Sequence, residues 1–253
     1  MQTLFQKLYT ENSQSLVRCF LTMVEKRSKT ILTLCLFPGQ FAELAYSSVP
    51  IDFLIQNFSK LSQPGYPLEH YDALCGVLLV DSFRGTSANL PGYVAYRPST
   101  GQLVVAISGT SSPKQALQDL RVLKSPHPSG RGFVHTGFWT LYQGIKAQAL
   151  NAIRQGIELH SPVELVLTGH SMGGSLAYLL CIDLLSEGDK TSSPSSIRIE
   201  LAVYGAPRTG DENLAIYFRE LTQGRTFKEH SVKAFNDGKR FLTLHSYVHI
   251  SSG

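Results

Sequence analysis

One serine in the 253-residue chain is bracketed by glycines: Gly169-His170-Ser171-Met172-Gly173, with Gly174 next. A serine hydroxyl is a poor nucleophile unless a neighbouring base takes its proton, and the backbone around it must let a substrate carbonyl approach. Glycines two residues to either side relieve crowding in a strained turn, so this pentapeptide fits a sharp bend that presents the Ser171 hydroxyl. The backbone N–H of Met172 can then donate to an oxygen that turns negative in the transition state. Gly173 and Gly174 let the segment that follows pack closely. His170 should point away from the hydroxyl, which gives it a structural role. The chemistry expected of such a bend is acyl transfer.

The bend needs a strand before it and a helix after it, and the sequence supplies both. Residues 163–167 are a short apolar run with strand character, and 175–185 resume helical spacing. Upstream, 138–160 carry Leu141, Ile145, Ala149, Ile153 and Ile157 at near four-residue intervals, which predicts a long helix. Downstream, 199–204 predict a strand and 212–221 a helix. Strand, helix, strand, helix in succession argues for an α/β fold with parallel central strands. Before these lies a hairpin, 92–96 and 103–107, joined by a turn with proline and glycine, and its second strand runs into Ser108-Gly109-Thr110. Residues 41–46 and 51–58 predict helices, 76–80 a strand, and Pro38-Gly39 a break. One or two helical turns are expected at 116–120, a surface loop at 124–132 and an exposed polar loop at 186–196.

Composition narrows the classes. At 43% hydrophobic and 17% charged, the chain can bury the core of one ordinary domain. Its net charge of +4 is spread through 19 acidic residues with no long basic run, which argues against nucleic acid as a partner. Cys19, Cys35, Cys75 and Cys181 lack metal-ligand spacing, so no structural zinc site is expected. The apolar run 30–37 is far shorter than the roughly 20 residues of a membrane helix and predicts a buried helical turn or strand. Glu11, Asn12 and Gln14 interrupt any leader starting at Met1, which points to an intracellular protein; a start assigned elsewhere would make it a secreted one.

Several stretches share one order and spacing: 105–110 (Val-Ala-Ile-Ser-Gly-Thr), Asp119-Leu120, 134–138 (Val-His-Thr-Gly-Phe), 167–174 around Ser171, and 204–210 (Tyr-Gly-Ala-Pro-Arg-Thr-Gly). On these, residues from about Phe41 to Asp237 resemble the fungal class 3 (triacylglycerol) lipase family, whose core is the α/β-hydrolase fold. The domain would then span 41–253, with 1–40 as an extension. The resemblance implies a carboxylic ester hydrolase, a lipase acting on acylglycerols through an acyl-enzyme, with transient contact at a lipid surface and no cofactor or metal. Its alternatives are a feruloyl-type or small-ester esterase, and a lipid-binding remnant without catalysis.

By the same resemblance, Thr110 and the Met172 N–H form the oxyanion hole, and His135 supports the site structurally. The family usually has Arg where this chain has Ser108. The segment Phe83-Arg84-Gly85-Thr86 carries the expected wording but lies before the hairpin, so it is taken as a decoy. Residues 111–117 match a short lid, less apolar than one built for strong interfacial activation. Asp237 matches the catalytic aspartate, with Asp183, Asp189 and Asp211 as competitors. The family histidine normally follows well beyond the segment resembled by Tyr247-Val248-His249-Ile250, so the resemblance implies a chain that stops short of it or an altered tail. In the altered tail His249, or alternatively His245, would serve as the base.

Overall fold

The computed structural model describes residues 29–110, 123–186 and 197–232. In chain order these form α1 (Lys29–Leu44), α2 (Ile51–Gln56), α3 (Phe58–Leu61), a 3-10 turn (Asp72–Leu74), β1 (Leu78–Arg84), β2 (Pro91–Arg97) and β3 (Gln102–Ile107). A small antiparallel pair follows, β4 (Lys124–Pro126) and β5 (Phe133–His135), then α4 (Thr136–His160), β6 (Glu164–His170), α5 (Met172–Ser186), β7 (Arg198–Tyr204), α6 (Glu212–Thr222) and β8 (Phe227–Val232). The main sheet has the order β1-β2-β3-β6-β7-β8, antiparallel through β1, β2 and β3 and parallel from β3 to β8.

Strand alternation divides the core in two. Along β3, Leu103, Val105 and Ile107 face α4, α5 and α6, while Val104 and Ala106 face Phe41 and Leu44 of α1. Burying each of these valine, leucine, isoleucine and phenylalanine side chains contributes about 1.5–3 kcal/mol before entropy is counted. Helix α5 lies beneath α4 and α6 and is buried on all sides from Met172 to Leu185, which is why its sequence is apolar all round. The one carboxylate it carries, Asp183, is held by Lys146 Nζ at 2.7 Å and by the Tyr142 hydroxyl. A charge taken out of water needs that pairing.

The expected strand-helix-strand-helix order is present, with informative differences at its edges. No break occurs at Pro38-Gly39: α1 runs through both. A proline forfeits one helical hydrogen bond, yet Phe41 and Leu44 on the same helix are buried against the sheet, and the Pro38 carbonyl accepts from Thr168 Oγ1 at 3.1 Å. The strand expected at 76–80 begins at Leu78 and continues to Arg84. The loop expected at 124–132 starts as β4, paired to β5. On α4 the buried stripe includes Phe138, Tyr142, Ala152 and Gly156, while Leu141 and Ile157 are only partly covered. Strand β8 has no counterpart in the sequence reading, because its residues are mostly half-buried and polar, Phe-Lys-Glu-His-Ser-Val, and show no alternation. The expected turns at 116–120 and nearly all of the polar loop at 186–196 lie outside the described residues.

Asp211 caps α6 and ties it to the small sheet: its Oδ1 accepts from the N–H of Leu214 and the N–H of Phe133, both at 3.0 Å. Asp211→Ala is expected to lower stability by about 1–2 kcal/mol, read as a fall in thermal midpoint that Asp211→Asn largely avoids.

Candidate active site

The register between β3 and β6, Gln102↔Glu164 through Ile107↔Gly169, ends both strands at the same level. Beyond that level the chain turns sharply at Ser171 and enters α5 at Met172. Ser171 has φ 54°, the left-handed region that costs a non-glycine residue about 1–2 kcal/mol. It is fixed from both sides: its N–H donates to Tyr204 O of β7 at 2.8 Å, and its carbonyl accepts from Gly174 and Ser175 at 3.0 and 3.4 Å. Ser171 is 8% exposed, at the carboxyl end of a central strand. The Met172 N–H belongs to the first turn of α5, where N–H groups have no partner within the helix and the dipole favours negative charge.

The glycines make this turn sterically workable. A Cβ on Gly169 would stand 2.5 Å from the Gly173 carbonyl carbon, and one on Gly173 would stand 2.2 Å from Ile107 O and 2.8 Å from Ser108 O. The start of α5 therefore lies directly on the end of β3, and the segment Ser108-Gly109-Thr110 leaves β3 alongside the turn. Ser108 is buried, with its N–H on Pro91 O and its hydroxyl on Gly109 O. The alternative Thr86 lies past the end of β1, the edge strand, where its N–H and hydroxyl both reach Gly144 O of α4. Three strand spacings, about 14 Å, separate β1 from β6.

His170 faces away from Ser171. Its Nδ1 lies 2.9 Å from the Tyr46 hydroxyl, which also donates to the His170 carbonyl at 3.1 Å. Burial pushes its pKa down to about 4, so the ring is neutral at ordinary pH. His135 is the residue before α4; its N–H donates to Thr209 O and its ring packs on Phe138 at 4.7 Å.

Two competing carboxylates have other work: Asp183 is paired inside α5 and Asp211 caps α6. Asp189, the matched lid 111–117, Asp237, His245 and His249 lie outside the described residues. Strand β8 ends at Val232, whose carbonyl accepts from Gly205 N–H at 2.7 Å beside the Ser171 turn, five residues before Asp237. The described structure thus brings Ser171, Met172 and Thr110 to one end of the sheet. It also adds a residue with no distinguishing mark in the sequence, Tyr46, whose only signal was its place near the end of a helical segment.

A nucleophile-type turn at the end of a central parallel strand, with helices on both faces of the sheet, is the α/β-hydrolase fold. Within it the family model Lipase (class 3) matches residues 104–237, more than half of the chain, and the chain belongs to that family. It is 27% identical over 216 residues to the secreted mono- and diacylglycerol lipase A of Penicillium cyclopium, covering 84% of this chain and 66% of that one. It is also 27% identical over 175 residues to phospholipase A1-II 1 of Oryza sativa subsp. indica, covering 55% of this chain and 44% of that one. The crystal structure of the lipase from Rhizopus microsporus var. chinensis superposes with a TM-score of 0.64 at 21% identity, over 81% of this chain and 67% of that one, a likeness of fold. The chain spans just under two thirds of the Penicillium relative and less than half of the rice one.

Proposed function

We propose that the protein is a carboxylic ester hydrolase, acting on acylglycerols through a covalent acyl-enzyme on Ser171. The observation that carries this reading is the left-handed Ser171 turn at the end of a central strand, with the start of α5 packed directly on the end of β3. Such a turn holds strain, and strain of this kind persists where a function needs the geometry. In the reaction, a histidine takes the Ser171 proton as the hydroxyl attacks the ester carbonyl, and Asp237 orients that imidazole. Thr110 and the Met172 N–H donate to the oxyanion. Collapse of the tetrahedral intermediate expels the alcohol, which leaves protonated by the imidazolium, and water then releases the acid by the same steps. His249, with His245 as its alternative, is the residue proposed for the base.

The relatives, a mono- and diacylglycerol lipase and a phospholipase A1, support a lipid ester as substrate, and the acylglycerol is the finer assignment. A fluorophosphonate probe is expected to label Ser171, located by peptide mass, and hydrolysis of mono- and diacylglycerols is expected to exceed that of hydroxycinnamoyl esters. Faster cleavage of the aryl esters would make it a feruloyl-type enzyme. Vesicle binding with no label on Ser171 would make it a lipid-binding protein without catalysis.

A further inference from the structure

Tyr46 follows the end of α1, and α1 is firmly held: Phe41 is fully buried, its carbonyl accepts from Tyr93 Oη at 2.9 Å, and the Pro38 carbonyl accepts from Thr168. From this fixed base the Tyr46 ring reaches under the site, and its hydroxyl meets three groups. Two belong to His170, the Nδ1 at 2.9 Å and the carbonyl at 3.1 Å. The third is the backbone of Gly109, whose hydrogen bond opposes the rise in the Tyr46 pKa that burial causes. Contact there is so close that a Cβ on Gly109 would stand 2.3 Å from the hydroxyl oxygen and 2.7 Å from His170 O.

Only one assignment of protons makes all three contacts hydrogen bonds at once. A tyrosine hydroxyl has one proton to give and two lone pairs to offer. The His170 carbonyl can only accept, so the proton goes there. His170 Nδ1 must then donate, and so must the Gly109 N–H, which fills both lone pairs. In that arrangement the neutral His170 ring carries its proton on Nδ1 and turns its bare Nε2 toward Gly205, where a Cβ would lie 3.6 Å away.

We propose that Tyr46 is a positioning residue for acyl transfer: its hydroxyl pins Gly109, and with it the Thr110 oxyanion donor, to His170, the residue before the nucleophile. The inference rests on the reading of Ser171 as nucleophile. One oxygen fixes the spacing between the two segments that must converge on the reacting carbonyl, and a catalytic geometry loosened by about 1 Å loses about a hundredfold in rate. Tyr46 touches no substrate atom and acts only through these backbones.

Tyr46→Phe removes the hydroxyl and keeps the ring. Tyr142→Phe is the matched comparator, since it too deletes a buried tyrosine hydroxyl, one bonded to Asp183 in the last turn of α5 and not to α1, Gly109 or His170. The rate of Ser171 labelling by a fluorophosphonate, and kcat on a soluble aryl ester, are expected to fall about tenfold or more in Tyr46→Phe with KM little changed, and to stay at the parental rate in Tyr142→Phe. Nitrogen-15 spectra should show His170 protonated on Nδ1 in the parent and largely on Nε2 in Tyr46→Phe. Parental labelling by Tyr46→Phe, or equal slowing by Tyr142→Phe at matched thermal stability, overturns the proposal. A parent with no label on Ser171 defeats the reading of the nucleophile instead; the tether is then judged by the tautomer, and a parental His170 protonated on Nε2 overturns it.

Discussion

Ester hydrolysis by Ser171→Ala is expected to fall by about 10⁵–10⁶-fold, to the low residual rate that binding and an oxyanion hole sustain without a nucleophile. The size follows from the mechanism, because with the hydroxyl gone no acyl-enzyme can form and the remaining path is direct attack by water. Asp237→Asn is expected to cost less, about 10⁴-fold, since it leaves the nucleophile and base in place but removes the carboxylate that sets the imidazole's tautomer. The same measurement assigns the base: whichever of His249→Ala and His245→Ala falls as far as Ser171→Ala supplies the general base, and a double variant with Ser171→Ala should be no slower, because residues that act as a unit are not additive. Substitutions at Asp183 and Asp211 should instead appear in thermal stability, given that one is ion-paired with Lys146 and the other caps α6. Unchanged hydrolysis in Ser171→Ala would defeat the proposed chemistry outright.

The parts of the site that were legible in the sequence are those whose backbone geometry demands a particular residue type. Gly169, Gly173 and Gly174 mark a turn because nothing with a Cβ fits there, and the flanking strand and helix announce themselves by apolar runs. Choosing Thr110 over Thr86 depended on which strand each follows, and β3, not β1, lies against β6. Tyr46 was not legible. Its role comes from a contact across 124 residues of chain, and a tyrosine near a helix end has the same local pattern whether or not it meets such a partner. Strand β8 escaped for a related reason: a strand of half-buried polar residues has no hydrophobic period to detect. Pro38 misled in the other direction. Its local preference for a break, worth about 3 kcal/mol in a helix interior, is outweighed by the apolar side chains that α1 buries on the sheet.

Gly173→Ala should show how completely catalysis depends on the contact between the first turn of α5 and the end of β3. An added Cβ would stand 2.2 Å from Ile107 O and 2.8 Å from the carbonyl carbon and oxygen of Ser108. These are backbone atoms, so no rotamer change can relieve the clash, and the helix must move away from the strand. That movement separates the Met172 N–H, carried by the helix, from Thr110, carried by the segment after β3. A displacement near 1 Å is enough to take one donor out of range, which costs about 10²–10³ in rate, and overpacking of this kind costs about 1–3 kcal/mol in stability. Gly173→Ala is therefore expected to slow fluorophosphonate labelling of Ser171 at least a hundredfold even at temperatures where the variant remains folded. Gly224→Ala is the control: its φ of 75° strains an alanine, yet nothing lies within 4 Å of the added Cβ, so a modest loss of stability with parental labelling is expected. Equal labelling by Gly173→Ala and the parent would mean that the close approach of helix to strand serves packing alone, and that the oxyanion donors are set by some other part of the molecule.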